Sequence, residues 1–348
     1  MSRPRDRGSR AYALLLLLCV VAALALVRPA VDPSSGPPRV TTCGTQLCLG
    51  GRSWTPALGT VYGGLDDPTS AVARVRALGL NAVRITAFLD VHGDPRTAPY
   101  AEADWARVDR LLAAASHAGL HAVLDLSTYR NLLRNRGVNP YTADWRPFLE
   151  FIAARVNTAA GVRYADDPTI AAVSFAGEVD GVNSGDNTYG LTTAALTTFY
   201  RTVEDQWHRV APGPLLTAGG LSHLDWDSGI DWRAIFALPH NDFAALHVYT
   251  QGDRETAVPA VAEFSRAIGK PWVIEEFGFP ADLPDAERAR RYADVYARAD
   301  RYGAAGVGLW NVGAQTTDTY DVGPQFPLTA AVVRRHAPGV RWSRHRTR

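Results

Sequence analysis

Short apolar runs recur along the chain from about residue 58. Each is followed by a polar loop and an amphipathic stretch, and often by a glycine before the next run. The runs are Leu58–Tyr62, Asn81–Thr86, His121–Ser127, Ile170–Ala176, Pro214–Ala218, Asp242–Tyr249, Trp272–Phe277 and Gly303–Trp310. Runs this short, bounded by turn residues, predict buried strands. Between them, apolar positions fall at helical spacing: Trp105, Val108, Leu112 and Ala115 form one stripe, and Leu196, Phe199, Tyr200, Val203 and Trp207 another. Two joints are near copies, Leu78-Gly79-Leu80-Asn81-Ala82-Val83 and Ala118-Gly119-Leu120-His121-Ala122-Val123. In each, the glycine is expected to close a helix in the left-handed conformation just before a strand. Eight strands alternating with helices predict an α/β fold with a parallel sheet closed into a (β/α)8 TIM barrel. An open doubly wound sheet competes with it, but no G-x-G-x-x-G follows a strand and no P-loop is present.

The barrel does not begin at the first residue. Arg3, Arg5, Arg7 and Arg10 precede an uncharged run from Ala11 to Val27, and Ala23-Leu24-Ala25 offers a small-residue cleavage site. Residues 1–31 therefore read as a cleaved export signal or as an N-terminal membrane anchor, since the run also reaches the shortest length for a span, about 17 residues. Either reading carries the domain out of the cytoplasm, because the basic flank stays inside. Residues 32–45 read as a linker, with DPSSGPP at its start, and Gln46–Trp54 as a short β-hairpin turning at Gly50-Gly51. The barrel domain is expected over 46–340, with a basic solvated tail over 341–348.

Of the 3 cysteines, Cys19 lies in the leader, which leaves Cys43 and Cys48. In an oxidising compartment such a pair is expected to form a disulfide, a local staple that closes a very short loop. Two reduced thiols are the alternative. A hydrophobic content of 47% and a charged content of 20% describe a packed globule. The net charge of +1 argues against a nucleic-acid partner, which calls for a basic face. The chain is expected to act as a monomer, touching a membrane only through its N-terminal segment.

In a closed barrel, chemistry sits at the C-terminal ends of the strands. Arg84 lies near the end of the second run, and the fourth ends Phe175-Ala176-Gly177-Glu178. The sixth ends His247-Val248-Tyr249, the seventh Glu275-Glu276-Phe277-Gly278, and the eighth Leu309-Trp310-Asn311. Charges closing apolar strands are costly unless solvated, paired or used. Read from residue types alone, Glu178 and Glu276 serve equally well as rim salt bridges.

The ordered set resembles glycoside hydrolase family 5, across nearly everything from about Leu47 onward. Lys270-Pro271-Trp272-Val273-Ile274-Glu275-Glu276-Phe277-Gly278 is similar to that family's seventh-strand signature. The resemblance implies that Glu276 is the nucleophile, with Glu275 facing the other side of the strand. Tyr164-Ala165-Asp166-Asp167-Pro168-Thr169-Ile170 resembles the lead-in to the family's fourth strand, which implies that Glu178 is the acid/base. Arg84, His247, Tyr249 and Trp310 fall where the family has active-site Arg, His, Tyr and Trp. Trp310 is the expected floor for a sugar ring, and Trp226 and Tyr129, on predicted loops of the same rim, are candidates for neighbouring subsites.

What the resemblance implies is a retaining hydrolase of a β-linked glycan, with β-1,4-mannan or β-1,4-glucan leading. The mechanism is double displacement by two carboxyl groups about 5–5.5 Å apart. It requires no cofactor and no metal, and none of the 9 His forms a His-x-His pair or a His-Glu-x-x-His helix. The chain also departs from the family. Gly177 stands where an Asn usually reaches the sugar 2-hydroxyl, Val179 follows Glu178 where Pro is frequent, and no His follows the third strand. These departures leave a second reading, a carbohydrate-binding barrel that has lost catalysis. The two readings are separated by whether both glutamates face one pocket at hydrolase spacing.

Overall fold

The computed structural model describes residues 38–338, except 63, 176, 180–188 and 221–229. The proposed leader, Trp226 and the basic tail lie outside the described residues. Three antiparallel strands come first, β1 (Val40–Cys43), β2 (Gln46–Leu49) and β3 (Arg52–Trp54). The predicted hairpin is β2 and β3. The strand β1 corrects the boundary of the expected linker, since residues 40–43 pair with β2 from Val40↔Leu49 to Cys43↔Gln46. A Cys43–Cys48 disulfide spans the turn between them, and Gly44 supplies the positive φ that the turn requires.

The barrel strands are β4 (Ala57–Val61), β5 (Ala82–Ile85), β6 (His121–Asp125), β7 (Ile170–Ser174), β8 (Leu215–Thr217), β9 (Ala244–Val248), β10 (Trp272–Phe277) and β11 (Gly306–Leu309). All eight predicted runs are strands. Their order, β8-β7-β6-β5-β4-β11-β10-β9, joins first to last in parallel. At the seam between β8 and β9, the Asp242 backbone N–H donates to the Leu216 carbonyl at 2.8 Å. The Leu216 N–H donates back to the Asp242 carboxylate at 2.8 Å.

The described helices are α1 (Pro68–Ala77), α2 (Glu102–His117), α3 (Ser127–Asn135), α4 (Arg146–Ala154), α5 (Thr193–Val210), α6 (Trp232–Phe236), α7 (Val258–Ile268), α8 (Asp285–Tyr302) and α9 (Pro327–His336). Their starts follow local chemistry: Asp67 caps α1 by accepting the Ser70 N–H, with Pro68 in the first turn, and Thr192 caps α5 by accepting the Ala195 N–H. Gly79 and Gly119 take φ values of 76° and 69°, the left-handed stops expected of the two repeated joints. Both predicted helix stripes are buried.

Strand alternation sorts the barrel interior into layers. Leu58, Ala82, Val123, Ala172, Ala245 and Val273 form an apolar layer, closed at the N-terminal end by Val40 and Leu47 of the small sheet with Trp54 packed against them. Two residues further along the same strands come Thr60, Arg84, Asp125, Ser174, His247 and Glu275, all buried and all polar. The intervening positions, among them Val83, Leu124, Val173, Leu246 and Ile274, pack outward against the helices. The apolar layer is the foundation, and the polar layer above it is the floor of the site.

Candidate active site

A cavity of about 640 Å³ opens above this polar layer, lined by Arg84, Asp125, Gly177, Glu178, His247, Tyr249, Glu276 and Trp310, with Tyr62 and Tyr320 at its edge. One wall is helix α3, which starts two residues after β6 ends. Its Ser127, Arg130, Asn131 and Arg134 line the cavity at helical spacing, while Leu132 and Leu133 turn into the core.

Arg84 is the cationic centre of the floor. It donates to Glu276 Oε1 and, at 2.7 Å, to Asp125 Oδ2, and its Nε lies 3.6 Å from Glu275 Oε1. Thr86 also donates to Asp125 Oδ2, at 2.8 Å. Burial works against the Arg84 charge, but Asp125, Glu276 and Glu275 outweigh it and raise its pKa. Tyr249 donates its hydroxyl to Glu276 Oε2 at 2.6 Å, so each Glu276 oxygen has one donor. Burial lifts the Glu276 carboxyl above the usual carboxylate range, against the pull of Arg84 and His247. Burial, reinforced by Glu276, pushes the Tyr249 hydroxyl well above its usual value, which keeps it a donor.

His247 joins three carboxylates. Its Nδ1 lies 2.9 Å from Glu178 Oε1 and 3.5 Å from Glu276 Oε2, and its Nε2 lies 3.2 Å from Glu275 Oε2. Although burial disfavours the imidazolium, Glu276, Glu178 and Glu275 raise the His247 pKa to about 10. Glu178 is the solvent-facing member, its side chain 51% exposed. Partial desolvation at the cavity wall raises its pKa, but the His247 hydrogen bond and charge, helped by Arg130 and Arg84, overcome that and hold it at about 2. The two shifts run in opposite directions and favour an ionised Glu178 beside a protonated imidazole.

One expectation is corrected at β10. Glu275 does not face away: regular alternation from Val273 turns it into the barrel, where it is buried beneath the cavity. The register with β9 then slips between Ile274 and Glu276, so Glu276 pairs with His247, and its carboxylate also turns into the cavity. A β-bulge lets two successive glutamates share one face.

Tyr129 is also corrected. It is buried against Trp145 and stacked at 4.1 Å on Phe148, because α3 begins at Ser127 and places it on the core face. Asn311 is buried behind the wall, where it accepts the Tyr62 N–H at 3.0 Å and donates to Asp321 Oδ1 at 2.8 Å. That holds Tyr62 beside Trp310, with ring centroids 5.3 Å apart. Gly177 lines the cavity, and its carbonyl accepts from Arg130 at 2.5 Å. Asp125 escaped the sequence reading and Glu275 was placed on the wrong face, although each is a charge closing an apolar strand, the same signal that found Arg84.

Glu178, His247 and Glu276 each offer a ligand atom, all within 4.8 Å of one another. A cation there would compete with Arg84 for Glu276, and with the imidazole protons that face carboxylates on both sides. For sugar chemistry the same set offers one carboxylate fixed by two donors and a second, solvent-facing carboxylate on an imidazolium. An aromatic ring, Trp310, stands beside them.

No family model matches the chain. A relative from Oryza sativa subsp. japonica, named provisionally as mannan endo-1,4-beta-mannosidase 9, is 26% identical over 373 aligned positions, covering 88% of this chain and 90% of that protein. Among solved structures, the endo-1,4-beta-mannanase of Rhizomucor miehei superimposes with a TM-score of 0.73 at 20% identity, over 87% of this chain and 99% of its own. The glycoside hydrolase family 5 mannosidase of the same organism gives 0.68 at 13% identity, over 87% and 97%. These structural likenesses establish the barrel.

Proposed function

We propose that this chain is a retaining glycoside hydrolase of the family 5 type that cleaves β-1,4-mannan, with Glu276 as nucleophile and Glu178 as acid/base. The observation that carries the reading is the convergence of the two carboxylates on one cavity with their nearest oxygens within 4.8 Å. That spacing suits direct attack by one carboxylate. Inverting enzymes separate theirs by about 6.5–9.5 Å to admit a water. It also favours an active hydrolase over a barrel that only binds glycan. The mannan preference is supported by the resemblance of the chain to mannan endo-1,4-beta-mannosidases.

In this reading Arg84 and Tyr249 hold Glu276 so that its free lone pairs face the anomeric carbon. Attack forms a glycosyl ester and breaks the glycosidic C–O bond, while the leaving oxygen takes a proton from Glu178. Glu178 acquires that proton when bound glycan covers its exposed half, because loss of water raises a carboxyl pKa. Ester formation then neutralises Glu276, and Glu178, ionised again beside His247, deprotonates the incoming water. Trp310 supports the sugar ring through its π face, with Tyr62 extending that surface. Trp226 is retained as a candidate for a neighbouring subsite. The basic then apolar N-terminal segment, with the Cys43–Cys48 disulfide, supports a location outside the cytoplasm.

The test is hydrolysis of β-1,4-mannan, glucomannan, carboxymethylcellulose and xylan, with the anomer of the first-formed product followed by proton NMR. New reducing ends from mannan in the β configuration, lost in Glu276→Ala and Glu178→Ala, are expected. Initial α product, or no release from mannan by the wild-type protein, overturns the reading.

A further inference from the structure

Two glutamates enter the barrel from β10, and the proposed chemistry uses only the second. Glu275 is buried in the polar layer, and a charge there costs stability unless it is employed. Its contacts are specific. Oε2 accepts the Gly220 N–H at 2.7 Å and lies 3.2 Å from His247 Nε2. Both partners lead to the same place. The Gly220 carbonyl accepts the Glu178 N–H at 2.7 Å, and His247 Nδ1 lies 2.9 Å from Glu178 Oε1.

Glu178 needs such support. Its φ of 58° lies in the left-handed region, which a residue with a Cβ adopts only when its surroundings over-determine it. Gly177, just before it, contributes no side chain to the site. The Gly219-Gly220 turn is shaped for the task. Gly219 takes a φ of 100°, and a Cβ on Gly220 would fall 1.8 Å from His247 Cδ2, so the imidazole rests directly on that peptide.

We infer that Glu275 is a positioning residue for Glu178: one carboxylate oxygen holds both the imidazole that contacts the Glu178 side chain and Gly220, the residue whose carbonyl holds its backbone. The inference rests on the proposed assignment of Glu178 as acid/base. Glu275 also approaches Arg84, which serves Glu276, but at 3.6 Å that is its longest polar contact. Its hydrogen bonds therefore run toward the acid/base, and only its longer ionic contact leads through Arg84 to the nucleophile.

The two routes give different kinetics. A residue that acts through the acid/base matters for leaving groups that need a proton and hardly at all for one that departs unaided. A residue that acts through the nucleophile matters for both. The experiment compares wild-type protein with Glu275→Gln, which keeps the size and the acceptor oxygen, on mannan and on 2,4-dinitrophenyl β-mannobioside, with and without azide. The expected result is a loss in kcat/KM of about 100-fold or more on mannan. On the dinitrophenyl substrate kcat/KM stays within about threefold while kcat falls with the slower hydrolysis of the glycosyl ester, and azide restores that kcat with a β-mannobiosyl azide product. An equal loss on both substrates, or no loss on either, overturns the inference. If Glu275→Gln does not fold, Glu275→Asp, which withdraws the same charge by one methylene, must give the same selective loss or the inference is overturned. A wild-type protein inert on both substrates instead removes the assignment of Glu178 itself, and the inference with it.

Discussion

Arg84 donates to the carboxylate of Glu276 across 192 residues of sequence, and the contact is buried beneath the cavity. The same guanidinium holds Asp125 at 2.7 Å and approaches Glu275 at 3.6 Å, so one cation stands among three carboxylates. Its value lies less in net stabilisation than in what its loss would leave behind, because unpaired buried charges are far costlier than a pair is favourable.

Arg84→Ala should therefore lower the unfolding free energy by about 3–5 kcal/mol and cut kcat/KM on mannan at least about 100-fold. Arg84→Lys should recover part of the stability and little of the activity, because a point charge cannot fork between Asp125 and Glu276 as the planar guanidinium does. Guanidinium chloride unfolding and initial rates on the two variants measure both effects.

The His247 cluster sets a pH window for stability. His247 is raised from 6.5 to about 10, so its contribution is complete below pH 6.5 and is lost as pH rises toward 10. Glu275 is lowered from 4.5 to about 2: burial opposes its charge, but Arg84 and His247 prevail. Its contribution is present above pH 4.5 and is lost as pH falls toward 2. The melting temperature should accordingly be highest between about pH 4.5 and 6.5 and decline on both sides. In His247→Gln the alkaline decline between pH 6.5 and 10 should flatten. Scanning calorimetry across pH 3 to 10 gives the comparison, and an unchanged alkaline limb in the variant would contradict the assignment.

Two glycines at the same rim should respond oppositely to alanine. A Cβ on Gly220 would strike His247 at 1.8 Å, whereas on Gly177 its nearest neighbours are Gly220 backbone atoms at 3.5 Å, an ordinary contact. Gly220→Ala should displace the imidazole and reduce kcat/KM by about 100-fold or more, while Gly177→Ala should change stability by less than about 1 kcal/mol. Melting curves and mannan rates on both variants test the contrast.

The Cys43–Cys48 disulfide closes a loop with a sequence separation of 5, at the end of the barrel opposite the cavity. Chain-entropy arguments give a link this short about 2 kcal/mol. Replacing both cysteines by serine should lower the melting temperature by a few degrees while leaving kcat and KM on mannan unchanged.

Much of the architecture follows from local rules. The eight strands, the buried stripes through Trp105 and Trp207, and the left-handed stops at Gly79 and Gly119 each depend on spacing or chirality within a dozen residues. Arg84, Glu178, His247, Tyr249, Glu276 and Trp310 could be nominated because strand ends carry the chemistry of a barrel, and all six line one cavity. Other features depend on partners remote in sequence. The fate of Tyr129 turned on how soon α3 begins after β6, which brings its ring onto Phe148 instead of the rim. The role of Asn311 depended on meeting Tyr62 across 249 residues.

What the sequence by itself determined is the alternation that puts a polar layer above an apolar one, because side-chain direction along a strand has period two and needs no partner to set it. What only the tertiary structure decided is where that period breaks. The slip between β9 and β10 is a property of two paired strands, and it brings Glu276 onto the same face as Glu275. From one strand's sequence a neighbouring pair of glutamates reads as one in and one out. Hydrogen-bond register with the adjacent strand turns both inward, over Arg84 and against His247.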